Sequence, residues 1–285
     1  MMYGNIWGKN CYYEVVMTIW IAMLLGLVQG LTEFLPVSSS GHLLLLQKMF
    51  GVTEGAMFFT IMLHLATLVA VVIVYWDMIL ELIKHPFQKT VGMLILATVP
   101  TLIFAVLFKK VEPFASFYTA TENGSFLGFG FLITSALLFL SDLLRANSKT
   151  GRKMKEMRVT DALLIGTMQG VAILPSVSRS GGTIAGALFS GLNRKAAADF
   201  SFLMSIPAII GGALVEVPEA LKAGIGDVHW TTIAAGMLVA GITGYFAVKI
   251  MIAAIKKKKL LGFVIYTAVL GSLVLVDQYV THYFF

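Results

Sequence analysis

Long apolar runs separated by short polar turns dominate the chain. Six of them, at roughly 58–76, 90–108, 124–145, 198–220, 230–254 and 260–282, meet the requirement of about 20 residues for a helix crossing a bilayer. Four apolar stretches are shorter. Residues 15–34 run into Gln29, Gly30 and Glu33; 43–50 follow a serine cluster; 161–174 and 181–191 flank PSVSRSGG. A short apolar segment that turns back at a polar loop predicts a re-entrant hairpin, which is tolerated at membrane depth where protein or a wet cavity surrounds it. The alternating ten-residue segments of a transmembrane β-barrel are not seen in the pattern.

The two hairpins share a sequence. GLVQGLTEFLPVSSSG, from Gly26 to Gly41, lies over GTMQGVAILPSVSRSG, from Gly166 to Gly181, a separation of 140 residues. Both carry G-x-x-Q-G, a proline near the turn and V-S-x-S-G, and each is followed by three long apolar runs. This is an internal duplication. Three crossings between copies invert the second relative to the first, the arrangement in which special segments meet near the midplane. The expected fold is an all-α integral membrane protein with an inverted-topology repeat, about six transmembrane helices and two re-entrant helical hairpins. It forms one membrane domain over 1–285, with an extension over 1–16, a first repeat over 17–145 and a second over 158–285.

Composition agrees with this. Of 285 residues, 58% are hydrophobic and 13% charged, whereas soluble domains carry about 25% charged residues. The net charge of +6 is better explained by membrane orientation than by nucleic-acid binding, which is not expected. Lys84, Lys89, Arg145, Lys149, Arg152, Lys153, Lys155, Arg158, Arg194, Lys195 and Lys256 to Lys259 fall on one side; Lys9, Lys48, Lys109, Lys110 and Lys222 fall on the other. The first side is cytoplasmic by the positive-inside rule. Both termini then lie outside, and the first hairpin dips in from outside. Cys11 is the only cysteine, so no disulfide frame or thiolate metal site is expected. Residues 15–28 resemble a signal-peptide core but lack its flanks and read as mature protein.

Chemistry concentrates in the hairpins. Gln29 and Glu33 are one helical turn apart and can offer oxygen ligands to a hard cation such as Mg²⁺; a carboxylate at that depth is costly unless paired or solvated. Ser38, Ser39, Ser40, Gly41 and His42 resemble a loop feeding a helix start, where free N–H groups favour an anion. Capping accounts for one serine only. The counterpart, Ser178, Arg179, Ser180, Gly181, Gly182 and Thr183, places an arginine inside the membrane, with a planar fork suited to phosphate. Together the hairpins predict a pocket for a phosphate or pyrophosphate at membrane depth, carried by a molecule with a lipid tail. His64 is expected to make an interhelical hydrogen bond rather than to face that pocket. Asp199, Ser201 and Ser205 are expected on a helix beside the second hairpin.

These residues carry a resemblance. Q-G-L-T-E-F-L-P-V-S-S-S-G-H and P-S-V-S-R-S-G-G-T resemble the two signatures of the bacterial undecaprenyl-diphosphatase family, also called the bacitracin-resistance family, and the similarity runs from about Met17 through FSFLMSIP to nearly the end. It implies a phosphatase of the bacterial plasma membrane that removes the terminal phosphate of undecaprenyl diphosphate and regenerates a cell-wall lipid carrier. It also implies a divalent cation, Mg²⁺ or Ca²⁺, and a site opening to the outer face. Glu33 and Gln29 would hold the metal–pyrophosphate unit; Arg179, with Ser178 and Thr183, would bind phosphate oxygens; Ser39 or His42 would supply the nucleophile or its base. Ser38, Ser40 and Ser180 complete the expected phosphate-binding set. The chain departs from common members at Gln29, often Glu, and at Ser176, often Gly. The partners implied are a polyprenyl diphosphate and membrane lipids, and a homodimer is compatible with such a protein. The alternative is a lipid-phosphate transporter or flippase using the same pocket, since inverted repeats with broken helices are a transporter arrangement.

Overall fold

The computed structural model describes residues 17–53, 55–145, 151–224, 228–256 and 260–285; the proposed extension lies outside them. These residues fold into α1 (Ile19–Phe34), α2 (Ser39–Phe50), α3 (Ala56–Val74), α4 (Trp76–Lys84), α5 (Lys89–Lys110), α6 (Phe114–Glu122), α7 (Leu127–Arg145), α8 (Val159–Val171), α9 (Arg179–Phe189), α10 (Arg194–Ala223), α11 (Trp230–Lys256) and α12 (Leu261–Val276). Six stretches, made by α3, α5, α7, α10, α11 and α12 with the π turn that follows it, are long and apolar enough to cross a membrane. Their outward faces carry large apolar side chains such as Val69, Ile95, Ile103, Leu214, Ile242 and Leu273.

Each short pair folds as a helical hairpin. α1 stops at Leu35, extended at ψ 144°, because the following Pro36 disfavours a helical residue before it. Ser38 then caps α2 by accepting the Gly41 N–H at 3.2 Å. In the second copy Ser178 caps α9 by accepting the Gly181 N–H at 3.0 Å. The caps sit immediately before Ser39 and Arg179, so these two residues open the helices instead of lying in loops as the sequence reading had them. α4 and α6, of 9 residues each, are too short to span and show no apolar run of about twenty residues in the sequence. Ser176 holds a left-handed backbone at φ 73°, which explains why glycine suits that position.

The copies interlock. Ser40 Oγ accepts the Ser176 N–H of the second turn at 3.3 Å, and its counterpart Ser180 Oγ donates to the Leu35 carbonyl of the first turn at 3.1 Å. α1 packs on α11 and α8 on α5, and both contacts depend on a glycine. A Cβ on Gly26 would come 2.3 Å from the Gly236 carbonyl oxygen, and one on Gly166 would come 2.0 Å from that of Ala97. The duplication is not exact in its packing. α3 and α11 pack closely, whereas their counterparts α10 and α5 stand largely apart.

Polar contacts mark the two ends. Arg194 pairs with Asp142 near the end of α7, and Arg152 makes two bonds to Asp161 near the start of α8, at 2.6 and 2.9 Å. At the opposite end Lys109 of α5 meets Glu219 of α10 at 3.3 Å, and Gln278 reaches the Gly124 carbonyl at 2.6 Å. Arg152 and Arg194 thus sit at the end opposite Lys109.

Because the clashing atoms at Gly26 and Gly166 are backbone, Gly26→Val or Gly166→Val should cost at least about 1–3 kcal/mol. The check is the thermal unfolding midpoint of the purified protein in detergent. Gly92, with open space around it, is the control: Gly92→Ala should be neutral or stabilising by up to about 1 kcal/mol. Equal midpoints for all three variants would contradict the packing described.

Candidate active site

Glu33 is the penultimate residue of α1 and is 4% exposed. A buried carboxylate survives only when its charge and lone pairs are met. Its Oε1 accepts from the Arg179 guanidinium. Its Oε2 accepts from Ser39 Oγ at 2.6 Å and from Gln29 Nε2 at 2.9 Å. Three elements converge on one side chain: Gln29 from a turn earlier in α1, Ser39 from the first turn of α2, and Arg179 from the first turn of α9. Ser39 and Arg179 occupy equivalent places in the two repeats, and both bind the acid that only the first repeat possesses.

A fourth group joins them. His64 of α3 has its Nδ1 2.8 Å from the Thr60 carbonyl oxygen, so that nitrogen carries a proton, and Nε2 stands 3.5 Å from Glu33 Oε2. The interhelical hydrogen bond expected of His64 is replaced by this approach to the acid. An apolar helix with one histidine does not declare which face it turns inward, and the carbonyl that fixes the ring is a backbone group that any residue at position 60 would offer.

The cluster lies at the polar end of a cavity of about 530 Å³ between α5 and α10. Glu33, Ser38, Ser39, Ser40, His64, Gln169, Ser178 and Arg179 form that end. Leu102, Val106, Ala172, Ile173, Ile209 and Val215 are among its apolar walls, and Lys109, Lys110, Tyr118 and Glu216 also line it, the lysines closing the C-terminal end of α5 and Glu216 lying in the C-terminal part of α10. The gap between these two helices, closed in the other repeat, makes the room. Burial and its neighbour Glu122 push the Tyr118 hydroxyl well above the ordinary phenol range, so it stands at the mouth as a neutral donor and acceptor.

Several expected residues are placed elsewhere. His42 does not line the cavity. Its Nδ1 lies 2.6 Å from the Ser38 carbonyl oxygen, its Nε2 2.7 Å from Tyr266 Oη, and its ring packs edge-on against Phe131; a direct role in a reaction requires those bonds to break. Ser180 is spent on the Leu35 carbonyl. Thr183 is buried, bonded to Ser201 at 2.6 Å and to the Arg179 carbonyl at 2.9 Å, so it braces α9 against α10. Gln29 is fully buried beneath Glu33 and is not a wall residue. Asp199 lies on α10, which packs on α9 as expected, and takes Tyr75 at 3.0 Å and Lys195 at 2.8 Å.

In chemical terms the cavity joins a guanidinium, hydroxyls and two helix N-termini to an apolar passage. That combination suits an anionic head on an apolar tail.

Comparison with known proteins follows the same line. Residues 22–273 match the model of the family described as bacitracin resistance protein BacA. An undecaprenyl-diphosphatase of Carboxydothermus hydrogenoformans is 45% identical over 260 residues, covering 90% of this chain and 96% of that protein. One from Alkaliphilus metalliredigens is 42% identical over 278 residues, covering 91% and 98%, and one from Halothermothrix orenii is 38% identical over 262 residues, again 91% and 98%. With six membrane-length helical stretches and this match along most of its length, the chain is a multi-pass membrane protein and belongs to the bacitracin resistance protein BacA family.

Proposed function

We propose that the chain is an undecaprenyl-diphosphatase of the bacterial plasma membrane. It hydrolyses undecaprenyl diphosphate to undecaprenyl phosphate and inorganic phosphate, recycling the carrier that cell-wall synthesis consumes. The observation carrying this is the buried Glu33, tied to Arg179 and Ser39 at the polar end of an apolar-walled cavity, in a chain whose relatives bear that name. A flippase would use a similar pocket, but no residue contact favours it.

Phosphoryl transfer demands positioning and stabilisation of charge on the transferring group. Arg179 holds one fork arm on Glu33, leaving its other N–H groups for phosphate oxygens in the cavity it lines. The first-turn amides of α2 and α9 add the positive ends of two helix dipoles. Ser38, Ser40 and Ser178 offer hydroxyls at the same end. Ser39 is the better-placed attacking oxygen: it lines the cavity and its hydroxyl already donates to a carboxylate, whereas His42 is committed to Ser38 and Tyr266. Apolar walls between α5 and α10 receive the prenyl chain and keep water from the anionic centre.

The donor set fits a divalent cation held mainly by phosphate oxygens and water. Glu33 brings one carboxylate to the cavity, and Gln29 Oε1 is a buried oxygen without a donor; among the described residues no cluster of three histidine, cysteine or acidic side chains competes for the ion. Mg²⁺ sites of this kind use one or two carboxylates beside substrate phosphates. Glu33 would hold the cation from the cavity wall, with Gln29 behind it steadying that carboxylate, and the cation would neutralise charge on the diphosphate. The cavity residues Lys109, Lys110 and Glu216 sit at the less basic end of the bundle, which supports an opening to the outer face.

Glu33→Ala and Arg179→Ala should each lower phosphate release from a prenyl diphosphate by about 100-fold or more, measured with purified protein in detergent; wild-type turnover in either would overturn the assignment. Chelation with EDTA should reduce release to background, and Mg²⁺ or Ca²⁺ should restore it. Activity indifferent to EDTA would remove the cation from the mechanism. Glu216→Cys, made in a Cys11→Ser background, should react with a membrane-impermeant maleimide added outside intact cells. Labelling only after permeabilisation would reverse the orientation.

A further inference from the structure

Gln169 belongs to neither the expected site nor the mechanism above, yet it is a buried amide, 2% exposed, in the wall of the active cavity. It is the second repeat's counterpart of Gln29 in the shared G-x-x-Q-G. In the first repeat the amide has a task, because Gln29 Nε2 donates to Glu33 one turn later. In the second repeat the residue one turn later is Ile173, an apolar wall residue, so Gln169 has lost that partner. It borrows another from α5: Nε2 donates to Thr101 Oγ1 at 3.2 Å. Its carbonyl Oε1 has no donor at all. A buried carbonyl left unpaired is destabilising, and such groups in folded proteins call for an explanation. A leucine at this place would satisfy the packing of an apolar helix without that penalty.

Neighbouring geometry narrows what the amide meets. Thr101 Oγ1 is itself held by the Gly166 carbonyl at 3.1 Å, so the hydroxyl fixes the amide group in place at the cavity wall. The amide retains one N–H and the whole carbonyl for a ligand. The same cavity contains Arg179 and Ser178 on the hairpin's other arm. An N–H donor suits a phosphate oxygen, and a carbonyl suits a protonated phosphate oxygen or a water bound to it.

We infer that Gln169 is a substrate-binding residue for the phosphate head, its amide N–H donating to a phosphate oxygen and its carbonyl accepting from a P–OH or a phosphate-bound water, with Thr101 as the residue that positions it. This rests on the phosphatase reading and extends it to a second-repeat residue outside the P-S-V-S-R-S-G-G-T segment.

The test uses the full chain in detergent, with a prenyl diphosphate as substrate and inorganic pyrophosphate as a competing probe. Gln169→Leu should raise KM by roughly tenfold to a hundredfold, the loss of one hydrogen bond to a charged group, with kcat changed less than about threefold. The inhibition constant for pyrophosphate should rise in parallel, a shift that a purely structural role would not produce. Gln169→Glu, which sets a negative charge against the phosphate, should bind more weakly still. Thr101→Val should move KM the same way, and the double variant Thr101→Val with Gln169→Leu should add little to Gln169→Leu alone. Thr101→Val also serves if Gln169→Leu fails to fold. An unchanged KM and pyrophosphate inhibition in a folded Gln169→Leu or Thr101→Val, or a loss confined to kcat, would overturn the inference. Absence of phosphate release from the wild-type chain would instead overturn the phosphatase reading itself.

Discussion

One buried ion pair organises this molecule. Glu33 and Arg179 lie 146 residues apart, on different hairpins, and neither charge is tolerable at membrane depth alone. Joining them requires the two hairpin tips to meet, as an inverted repeat allows near the midplane. Removal of one partner from a buried pair leaves an uncompensated charge, with a penalty of about 3–5 kcal/mol. Assembly of the fold and assembly of the site are therefore one event. The Ser40–Ser176 and Ser180–Leu35 bonds hold the same junction through backbone groups, so the register of the tips is set independently of the charges.

Duplication supplies the frame and its failures supply the function. Where the repeats agree, they build paired serine caps, paired glycine contacts and paired glutamines. Where they differ, chemistry appears. Ile173 stands where the first repeat has Glu33, Arg179 where it has Ser39, and α5 and α10 part where α11 and α3 close. The first two differences make a single centre of one acid and one cation instead of two weaker ones. The third opens a passage beside that centre. A symmetric dimer of hairpins would have a polar midplane but no cavity and no polarity of approach.

Much of this was legible in the amino-acid order. Glu33 and Arg179 stood out because their types are expensive in an apolar context, and the repeat of VSSSG and VSRSG showed that they belong together. The helix starts were read too late, since serines and an arginine look like loop when the capping residue is not identified; Ser38 and Ser178, one position earlier, hold the first turns. His42 turns away from the cavity for a related reason. Its neighbours in sequence are Ser39 and Ser40, but one helical turn separates it from Ser38, and the ring turns to that carbonyl and to Tyr266 on α12, a contact across 224 residues. His64 is expected from sequence at an interhelical bond and instead lines the cavity, and Gln169 carries no expectation, because each sits in an apolar run whose inward face depends on tertiary packing. For Gln169 the signal was present, since its motif repeats that of Gln29.

The most direct check on the Glu33–Arg179 junction is a double-mutant cycle on unfolding in detergent, using Glu33→Gln, Arg179→Gln and the pair. Contact across the two hairpins predicts strong non-additivity, the double variant being less destabilised than the sum of the singles by more than about 1 kcal/mol. Simple addition of the two single effects would mean that the side chains do not meet, and the inverted junction described here would be wrong.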